Sequence, residues 1–383
     1  MSEWREKPLK EVAQLRKDSW KVGQDPLPYI ALEHIVEGGL RIQGVGDSAT
    51  IASNKYRFNS DSFLFGKLRP YFRKLYRPNF DGICSTDIWV VEPKEGNNKD
   101  YLFYFFANQE FIDLSYSGSS GTRMPRADWK FISEQKWEFP PLPEQKAIAE
   151  VLSSLDDKID LLHLQNKTLE QMAETLFRQW FVEEAGEDWE EVPLSYFGKI
   201  ICGKTPSKKK PEFYNGDIPF IKIPDMHRNT YIFHTADTLT MEGSNSQKNK
   251  LLPPESICVS CIATVGLVSM NIVESQTNQQ INSIIPSKDV YRYFLYLYMK
   301  ASYDELHAMA SGGTATLNLN TGSFSKTEVI KPNLNILEKF HNMVETKFNK
   351  IFSNQKQIRT LQSLRDTLLP KLMSGEVRIA SNG

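Results

Sequence analysis

Apolar residues recur every three or four positions along two long stretches of the chain, and this pattern predicts two amphipathic helices. The first stretch spans residues 140–184 and the second spans 332–373. Their apolar seams share a heptad spacing with one asparagine near the middle, which is typical of a coiled coil. The seam residues are Leu152, Ile159, Leu162, Asn166, Leu169, Leu176 and Trp180 in the first helix, and Phe340, Val344, Ile351, Asn354, Ile358, Leu361 and Leu368 in the second.

The two predicted helices are expected to pack against each other in antiparallel directions, because the chain must return along the first helix for the seams to meet. If Asn166 faces Asn354, each remaining opposed pair of the seam is apolar on apolar. A helix of about 40 residues is about 60 Å long. The pair is therefore predicted to be a rigid spacer, and a bundle or dimerisation element with no measuring role is the alternative.

The regions before and between the helices contain short apolar runs broken by Gly, Pro, Asn and Asp, which predicts strands. Each region also has one aromatic segment long enough for a helix, DYLFYFFANQEFIDLSY and VYRYFLYLYMKASYDELHAMA. A shift of about 192 residues superposes the two halves at many positions, such as STDIWVVEP over NQQINSIIP and GSSGTRMPR over ASGGTATLN. The sequence therefore predicts two copies of one small domain.

The predicted fold class is α+β, with two pseudo-repeated domains held apart by a long antiparallel two-helix coiled coil. The first domain is expected at 1–139 and the second at 185–331, with the spacer helices at 140–184 and 332–373. The tail, 374–383, occupies the same place after the second helix as AGEDWEEV does after the first. We therefore expect the tail to pack on the first domain.

The charge balance narrows the function classes. A net charge of −1 argues against a protein that coats nucleic acid indiscriminately. Residues 140–184 are acidic, with 4 Lys or Arg against 9 Asp or Glu, so much of the negative charge lies on the first predicted helix. No apolar run is long enough to span a bilayer and the N-terminus has no signal-peptide pattern, so a cytoplasmic location is expected. Cys258 and Cys261 form a CxxC, but they lie in the apolar run SICVSCIATVGLVSM, which predicts a buried strand rather than a metal site.

Basic side chains cluster in two loops of the first domain and suggest contact with phosphates and bases. A solvated basic face is the alternative for the segment FGKLRPYFRKLYRP, and an ordinary flexible loop is the alternative for SGSSGTRMPR. The candidate DNA-binding residues of this domain are Lys67, Arg69, Arg73, Arg77, Arg123 and Arg126.

The second domain offers a Gly/Pro loop rich in lysine and a run of amides, TNQQIN, whose side chains are of the kind that read adenine. The loop lacks the spacing of an ATP-binding phosphate loop, and no motif for adenine methylation, zinc proteolysis or a nucleophilic serine is present. No catalysis is predicted. The candidate DNA-binding residues are Lys204, Thr205, Lys208, Lys209, Lys210, Asn278, Gln279, Gln280 and Thr314.

The order domain, helix, domain, helix resembles the specificity subunit of type I restriction-modification systems. The resemblance covers essentially the whole chain, and the helix start LPEQ from Leu142 and the ending LPKLMSGE from Leu369 are its most specific segments. GKTPSKKKPEFYNGDIPFIKIPDM, YIALEHI and FGKLRPYFRK look like recurrent segments of the target recognition domains of that family. The second helix departs from the pattern in two ways, because it begins without Pro-Glu-Gln and its seam includes Lys347 and Arg365.

The resemblance implies a non-catalytic reader of double-stranded DNA, with no metal or cofactor of its own. Each target recognition domain would bind one half of a split, asymmetric sequence, and the coiled coil would set the gap. The coil would also dock two modification subunits, which bring S-adenosylmethionine and methylate adenine, and motor-nuclease restriction subunits would join for cleavage. The acidic residues Glu150, Asp156, Asp157, Asp160 and Glu170 are a candidate partner surface, with a solvated face as the alternative.

Two other interpretations stay open at this point. One is a related subunit of a different methyltransferase-nuclease class, which the identity of the partner would separate. The other is a protein scaffold that never touches DNA, against which a salt-dependent affinity for duplex DNA would discriminate.

Overall fold

The computed structural model describes residues 4–119, 124–186, 188–311 and 317–379. The chain divides into two compact units. The first unit contains residues 1–159 and 360–383, and the second contains residues 160–359. Each long helix therefore contributes one part to each unit.

The first unit combines three sheets with short helices. Its two-stranded sheet pairs Arg5–Pro8 with Lys136–Phe139. Its four-stranded sheet has the order Ala13–Leu15, Ile88–Pro93, Phe63–Gly66 and Leu75–Tyr76. Its five-stranded sheet has the order Ser19–Trp20, Lys55–Phe58, Gly82–Cys84, Pro28–Ile30 and Gly46–Asp47. Its α-helices are Leu9–Val12, Lys99–Ala107, Gln109–Ser117 and Trp129–Ser133, and its 3-10 turns are Leu32–His34, Ser48–Thr50 and Pro70–Phe72. Among the described strands of this unit, all pairs are antiparallel except Pro28–Ile30 with Gly82–Cys84.

The second unit also combines sheets with short helices. Its two-stranded sheet pairs Glu191–Pro193 with Glu328–Ile330, its five-stranded sheet has the order Gly198–Cys202, Ile281–Pro286, Ile257–Ser260, Val268–Asn271 and Tyr231–Ile232, and its three-stranded sheet has the order Asp237–Leu239, Tyr214–Ile221 and Gln276–Thr277. Its α-helices are Ile223–Met226, Met241–Asn245, Arg292–Ala301, Tyr303–Ala310 and Thr321–Ser325, and its 3-10 turns are Leu194–Tyr196, Pro211–Phe213, Lys248–Lys250 and Asp289–Tyr291.

The two domains repeat one topology, as the shift of the sequence predicts. In both, a first strand pairs with the strand that precedes a long helix, and the next sheet runs through corresponding strands in the same order. A parallel pair also recurs, Pro28–Ile30 with Gly82–Cys84 and Tyr214–Ile221 with Gln276–Thr277. The predicted α+β fold with an internal repeat is confirmed.

Each aromatic segment forms two short helices rather than the single helix that the pattern predicts. The first segment breaks at Asn108, whose extended backbone (φ −67°, ψ 141°) ends Lys99–Ala107 and precedes Gln109–Ser117. The second segment breaks at Ser302. The bend lets the aromatic rings of each segment reach one core. In the first unit, Tyr101, Phe103, Tyr104 and Phe106 are fully buried. Burial of one such side chain stabilises the fold by about 1.5–3 kcal/mol.

The apolar run around the CxxC also differs from the single strand that its pattern predicts. It forms the antiparallel strands Ile257–Ser260 and Val268–Asn271, joined by a turn in which Ala263 and Gly266 have positive φ. Burial raises the pKa of the Cys258 thiol to about 12 and that of Cys261 to about 11. Both thiols are therefore protonated at neutral pH and pack as small apolar side chains.

The long helices are Leu142–Arg178, extended by a π-helical turn at Gln179–Glu183, and Leu334–Met373. In the second unit they run antiparallel. Asn354 Nδ2 donates a hydrogen bond to Asn166 Oδ1 at 2.8 Å, and near the other end of the seam the rings of Trp180 and Phe340 lie 6.0 Å apart.

In the first unit the two helices are again antiparallel, and their contact includes a buried ion pair. Arg365 Nη1 donates to Asp156 Oδ1 at 2.8 Å, and the hydroxyl of Tyr104 donates to Asp156 Oδ2 at 2.7 Å. Burial opposes the charge of Arg365, but the Asp156 and Asp366 carboxylates together outweigh it and raise the pKa of Arg365. The interpretation of Asp156 as part of an acidic outer face is therefore wrong.

Glu170 is a second correction to that acidic face. Its carboxylate accepts hydrogen bonds from Tyr296 at 2.5 Å and forms an ion pair with Lys300 at 2.8 Å. Glu150 and Asp157 are exposed, so only part of the predicted surface faces solvent.

Within residues 374–379, Arg378 lies against the first domain and the start of the first long helix. Arg378 donates from Nε to Glu144 Oε1 at 2.6 Å and from Nη2 to Oε2 at 2.9 Å, and its guanidinium lies 5.2 Å from the centre of the Trp4 ring. Trp4 Nε1 donates to the same carboxylate at 3.2 Å. These contacts give Glu144 of the LPEQ segment a structural role. Its neighbour Gln145 accepts from the Asn98 backbone N–H at 2.8 Å and donates to the Pro140 carbonyl at 2.9 Å.

Candidate nucleic-acid interface

The basic loop of the first domain is a tight turn with two residues in the left-handed region. Arg69 (φ 51°) and Arg73 (φ 48°) flank the 3-10 turn Pro70–Phe72. This geometry leaves Tyr71 exposed and places the guanidinium of Arg69 5.9 Å from the centre of the Phe72 ring. A non-glycine residue with positive φ is strained, and such strain is concentrated at functional loops.

Two of the predicted DNA-binding arginines are engaged inside the first unit. Arg73 Nη2 donates to Asp366 Oδ1 at 3.4 Å; burial lowers the pKa of Arg73, and the Asp366 carboxylate only partly opposes this. Arg77 Nη1 donates to Asp100 at 3.2 Å and to Ser153 Oγ at 2.8 Å. These contacts give Arg77 a structural role, because it joins the domain to the first long helix.

Leu68 and Arg126 form an isolated β-bridge, and Ala127 N donates to Lys67 O at 2.9 Å, so Lys67 lies beside the segment of Arg126. The backbone N–H of Lys67 donates to Asp87 O at 2.9 Å, and Arg126 Nε donates to Asp87 Oδ1 at 3.1 Å. The side chain of Arg126 is 46% exposed. A partly exposed arginine held by a carboxylate has a fixed direction and can still reach a ligand.

In the second domain, the lysine loop packs against the amide run. Gly203 has no room for a side chain, because a Cβ there would come within 2.1 Å of Asn278 O. Thr205 Oγ1 donates to Gln279 Oε1 at 2.6 Å. Lys204, Lys208, Lys209 and Lys210 are exposed, and Lys210 Nζ lies 4.8 Å from the centre of the Phe213 ring.

The orientation of the amides at Asn278 and Gln280 follows from a backbone donor. The backbone N–H of Gln280 donates to the side chain of Asn278 at 3.1 Å, so the accepting atom must be Oδ1. Asn278 Nδ2 then donates to Gln280 Oε1 at 2.9 Å. Asn278 is buried, whereas Gln280 is half-buried with its NH₂ group as its remaining donor.

Arg123 and Thr314 lie outside the described residues, but the segments after them are described. Leu319 N donates to Cys261 O and Cys261 N donates to Gln280 O, both at 2.8 Å. The amide turn and the segment that follows Thr314 are therefore neighbours. Within the described ranges, no group of three or more His, Cys, Asp or Glu side chains could hold a metal ion, and no helix is long and apolar enough to cross a membrane.

The family comparison matches both halves of the chain. The sequence model described as "Type I restriction modification DNA specificity domain" matches residues 1–171 and, a second time, residues 186–366. The chain belongs to this family. The two matches correspond to the two copies of the repeated topology, so we refer to the domains as target recognition domains.

Curated relatives carry the same designation. The chain is 36% identical over 404 aligned positions to the type I restriction enzyme HindI specificity subunit of Haemophilus influenzae, covering 84% of this chain and 88% of the relative. It is 28% identical over 312 positions to the MjaIX specificity subunit of Methanocaldococcus jannaschii, covering 76% and 71% of the two chains. The family resemblance of the sequence is thereby confirmed.

A solved structure shares the fold. The crystal structure of the type I restriction-modification system S subunit from M. genitalium superposes with a TM-score of 0.59 at 15% identity, covering 97% of this chain and 96% of that one. At this identity the likeness concerns the fold alone.

Proposed function

We propose that this chain is the DNA specificity subunit of a type I restriction-modification complex and that it reads a bipartite, asymmetric target. The first target recognition domain, 1–139, would bind one half-site and the second, 185–331, would bind the other. The observation that carries the proposal is the match of the specificity-domain family to both copies of one repeated topology. Two copies with unequal side chains suit a target with two unequal halves.

Exposed lysines in the second domain and half-buried basic residues in the first support contact with a phosphate backbone. Lys208, Lys209 and Lys210 extend from the Gly/Pro loop of the second domain. In the first domain, Lys67 and Arg69 stand at the strained turn, next to the exposed ring of Tyr71. Phosphate contacts position a protein on a duplex and make its affinity fall as salt concentration rises.

The long helices are proposed to act as spacer and as docking surface for two modification subunits. Their buried polar pairs, Asn166 with Asn354 and Asp156 with Arg365, support a single fixed register. A fixed register makes the distance between half-sites a property of helix length.

This chain is proposed to have no catalytic step of its own. Methylation of adenine and its S-adenosylmethionine would belong to the modification subunits, and cleavage would belong to restriction subunits. The contribution of this chain is selection of the DNA sequence at which its partners act.

The test is methylation sequencing of DNA from cells that express this chain with its modification subunit. A seven-residue insertion after Asn166, matched by one before Asn354, lengthens both helices by about 10 Å and preserves the seam. Since one turn of DNA covers about 34 Å and 10 base pairs, the gap between methylated half-sites should widen by about three base pairs.

The control is the same insertion in the first helix only, which shifts the seam and should abolish methylation. Unchanged half-sites with a wider gap would support both the reading and the spacing roles. Methylation at a contiguous motif, or a gap indifferent to the matched insertion, would contradict the proposal. A complex that never methylates any motif would favour a scaffold without DNA contact.

A further inference from the structure

The two target recognition domains share one detailed arrangement of backbone hydrogen bonds, here called the junction. In the first domain the junction joins 67–69, 85–88 and 125–127, and in the second it joins 261–263, 278–281 and 317–319. Four backbone bonds correspond, all between 2.8 and 3.2 Å. In the first domain they run from Lys67 N to Asp87 O, from Ala127 N to Lys67 O, from Arg69 N to Pro125 O and from Ile88 N to Ser85 O. In the second domain, in the same order, they run from Cys261 N to Gln280 O, from Leu319 N to Cys261 O, from Ala263 N to Leu317 O and from Ile281 N to Asn278 O.

Two further features repeat at the junction. Arg69 and Ala263 both have positive φ, at 51° and 65°. The backbone N–H of Asp87 donates to the Ser85 hydroxyl at 3.3 Å, as that of Gln280 donates to the Asn278 side chain at 3.1 Å. The junction therefore has the same backbone arrangement in both domains, and it is formed by segments that are far apart in sequence.

The side chains on this shared frame differ sharply between the domains. The first domain has Lys67, Arg69, Asp87 and Arg126 at the four positions where the second has Cys261, Ala263, Gln280 and Asn318. At two of these positions, Asp87 with Gln280 and Arg126 with Asn318, the side chains are polar and at least partly exposed in both domains. A shared frame with different polar side chains is what two domains need if they dock alike but read different bases. Phosphate contacts would instead favour basic residues in both copies.

We propose that the junction reads bases, with Arg126 reading a guanine in the half-site of the first domain and Gln280 donating to a base acceptor in the other half-site. The inference rests on the proposed function, and it adds the residues and the class of base edge.

The chemistry of Arg126 fits guanine because its ion pair with Asp87 uses Nε at 3.1 Å. That contact fixes the guanidinium plane and does not use the two terminal nitrogens, which can donate together to O6 and N7 of guanine. Asp87 is thus a positioning residue for Arg126.

The contacts of Gln280 favour a donor role over the bidentate adenine contact that amide side chains suggest. A bidentate contact with adenine needs the amide oxygen as an acceptor and the amide nitrogen as a donor. The Oε1 of Gln280 already accepts from Asn278 Nδ2, so its NH₂ group is the part presented to DNA. The matching major-groove partners are single acceptors, namely N7 or O6 of guanine, O4 of thymine or N7 of adenine.

The experiment measures methylation of a target library by the complex of this chain with its modification subunit, with each half-site randomised in turn. Arg126→Gln should lower the preference for guanine at one position of the first half-site by about 10-fold or more and leave the second half-site unchanged. Gln280→Glu, which replaces a donor by an acceptor, should change the preferred base at one position of the second half-site alone. Asp87→Asn should weaken the guanine preference less than Arg126→Gln does.

Arg5→Gln is the control, since Arg5 is an exposed arginine of the first domain outside the junction, and it should leave every base preference unchanged. If the wild-type complex methylates a bipartite motif and both junction variants keep the wild-type preferences, the inference is wrong while the proposed function stands. If the wild-type complex methylates no bipartite motif, the proposed function fails and the inference fails with it.

Discussion

At the residue scale, the first unit depends on polar side chains that are buried together. Arg365, 3% exposed, and Asp156, 11% exposed, form an ion pair that Tyr104 completes from the domain. Charges removed from water are tolerated only when partners satisfy them, so each member depends on the others. The network therefore fixes how the domain meets both long helices within this unit.

Replacing Arg365 by Met should lower the free energy of unfolding of the first unit by about 3–5 kcal/mol, because Asp156 would stay buried without its cation. The double variant Arg365→Met with Asp156→Leu should recover most of this loss. The measurement is urea unfolding followed by hydrogen exchange in the helix Lys99–Ala107. Lys10→Met breaks the exposed pair of Lys10 with Glu134 and is the control, expected to cost less than about 1 kcal/mol. Equal losses of unfolding free energy for Arg365→Met and Lys10→Met would contradict the role of the buried pair.

The sequence could identify the type of these residues but not their partners. Arg77 and Arg73 stand in a basic, aromatic segment, which by composition suits phosphate contact. Their carboxylate partners, Asp100 and Asp366, lie at unrelated distances along the chain, and only the folded topology brings each pair together.

At the element scale, the long helices were predictable because their apolar period persists for about 40 residues. A signal of that length averages out local exceptions, such as the polar members of the seam. The breaks in the aromatic segments were not predictable in the same way, because Asn108 and Ser302 are neither glycine nor proline. Segments that are apolar on every side give no periodicity from which a bend could be inferred.

The asparagine pair in the second unit should behave as one energetic unit. Asn166→Leu alone leaves Asn354, which is fully buried, with fewer partners and should cost about 1–3 kcal/mol. Adding Asn354→Leu should reverse the loss, because two apolar residues then face each other in the seam. Thermal unfolding of the two single variants and the double variant measures the coupling. Additive losses across this cycle would mean that the two side chains do not interact.

At the scale of the whole molecule, the internal repeat is visible in the sequence because corresponding strands keep their spacing. The junction is not visible there, because its three segments are separated by about 20 to 60 residues in each domain and their side chains differ. A comparison by sequence sees Asp87 and Gln280 only as a mismatch. The superposed segments STDIWVVEP and NQQINSIIP align these two residues, but their shared place at the junction follows from hydrogen bonds of backbone atoms.

Removing the tail after Ser374 should destabilise the first unit by about 2–4 kcal/mol, because Glu144, with 6% of its side chain exposed, would lose the bidentate contact of Arg378. Glu144→Gln in the truncated chain should restore part of the stability by removing the uncompensated charge. Hydrogen exchange in the strand Arg5–Pro8 reports on the effect. Lys371→Ala is the control, since its contact with Glu376 is exposed. A truncated chain with wild-type exchange in this strand would refute the role of the tail.

The contact of Arg378 with Trp4 brings the beginning and the end of the described chain together within one unit. The link from the second helix to the first domain is thus the counterpart of the link from the first helix to the second domain. When the two ends of a fold lie together in this way, the fold does not depend on where along the chain the termini are placed. Circular permutation, with a short peptide joining the tail to the first strand and new ends opened after Glu184, should therefore preserve every contact of both target recognition domains.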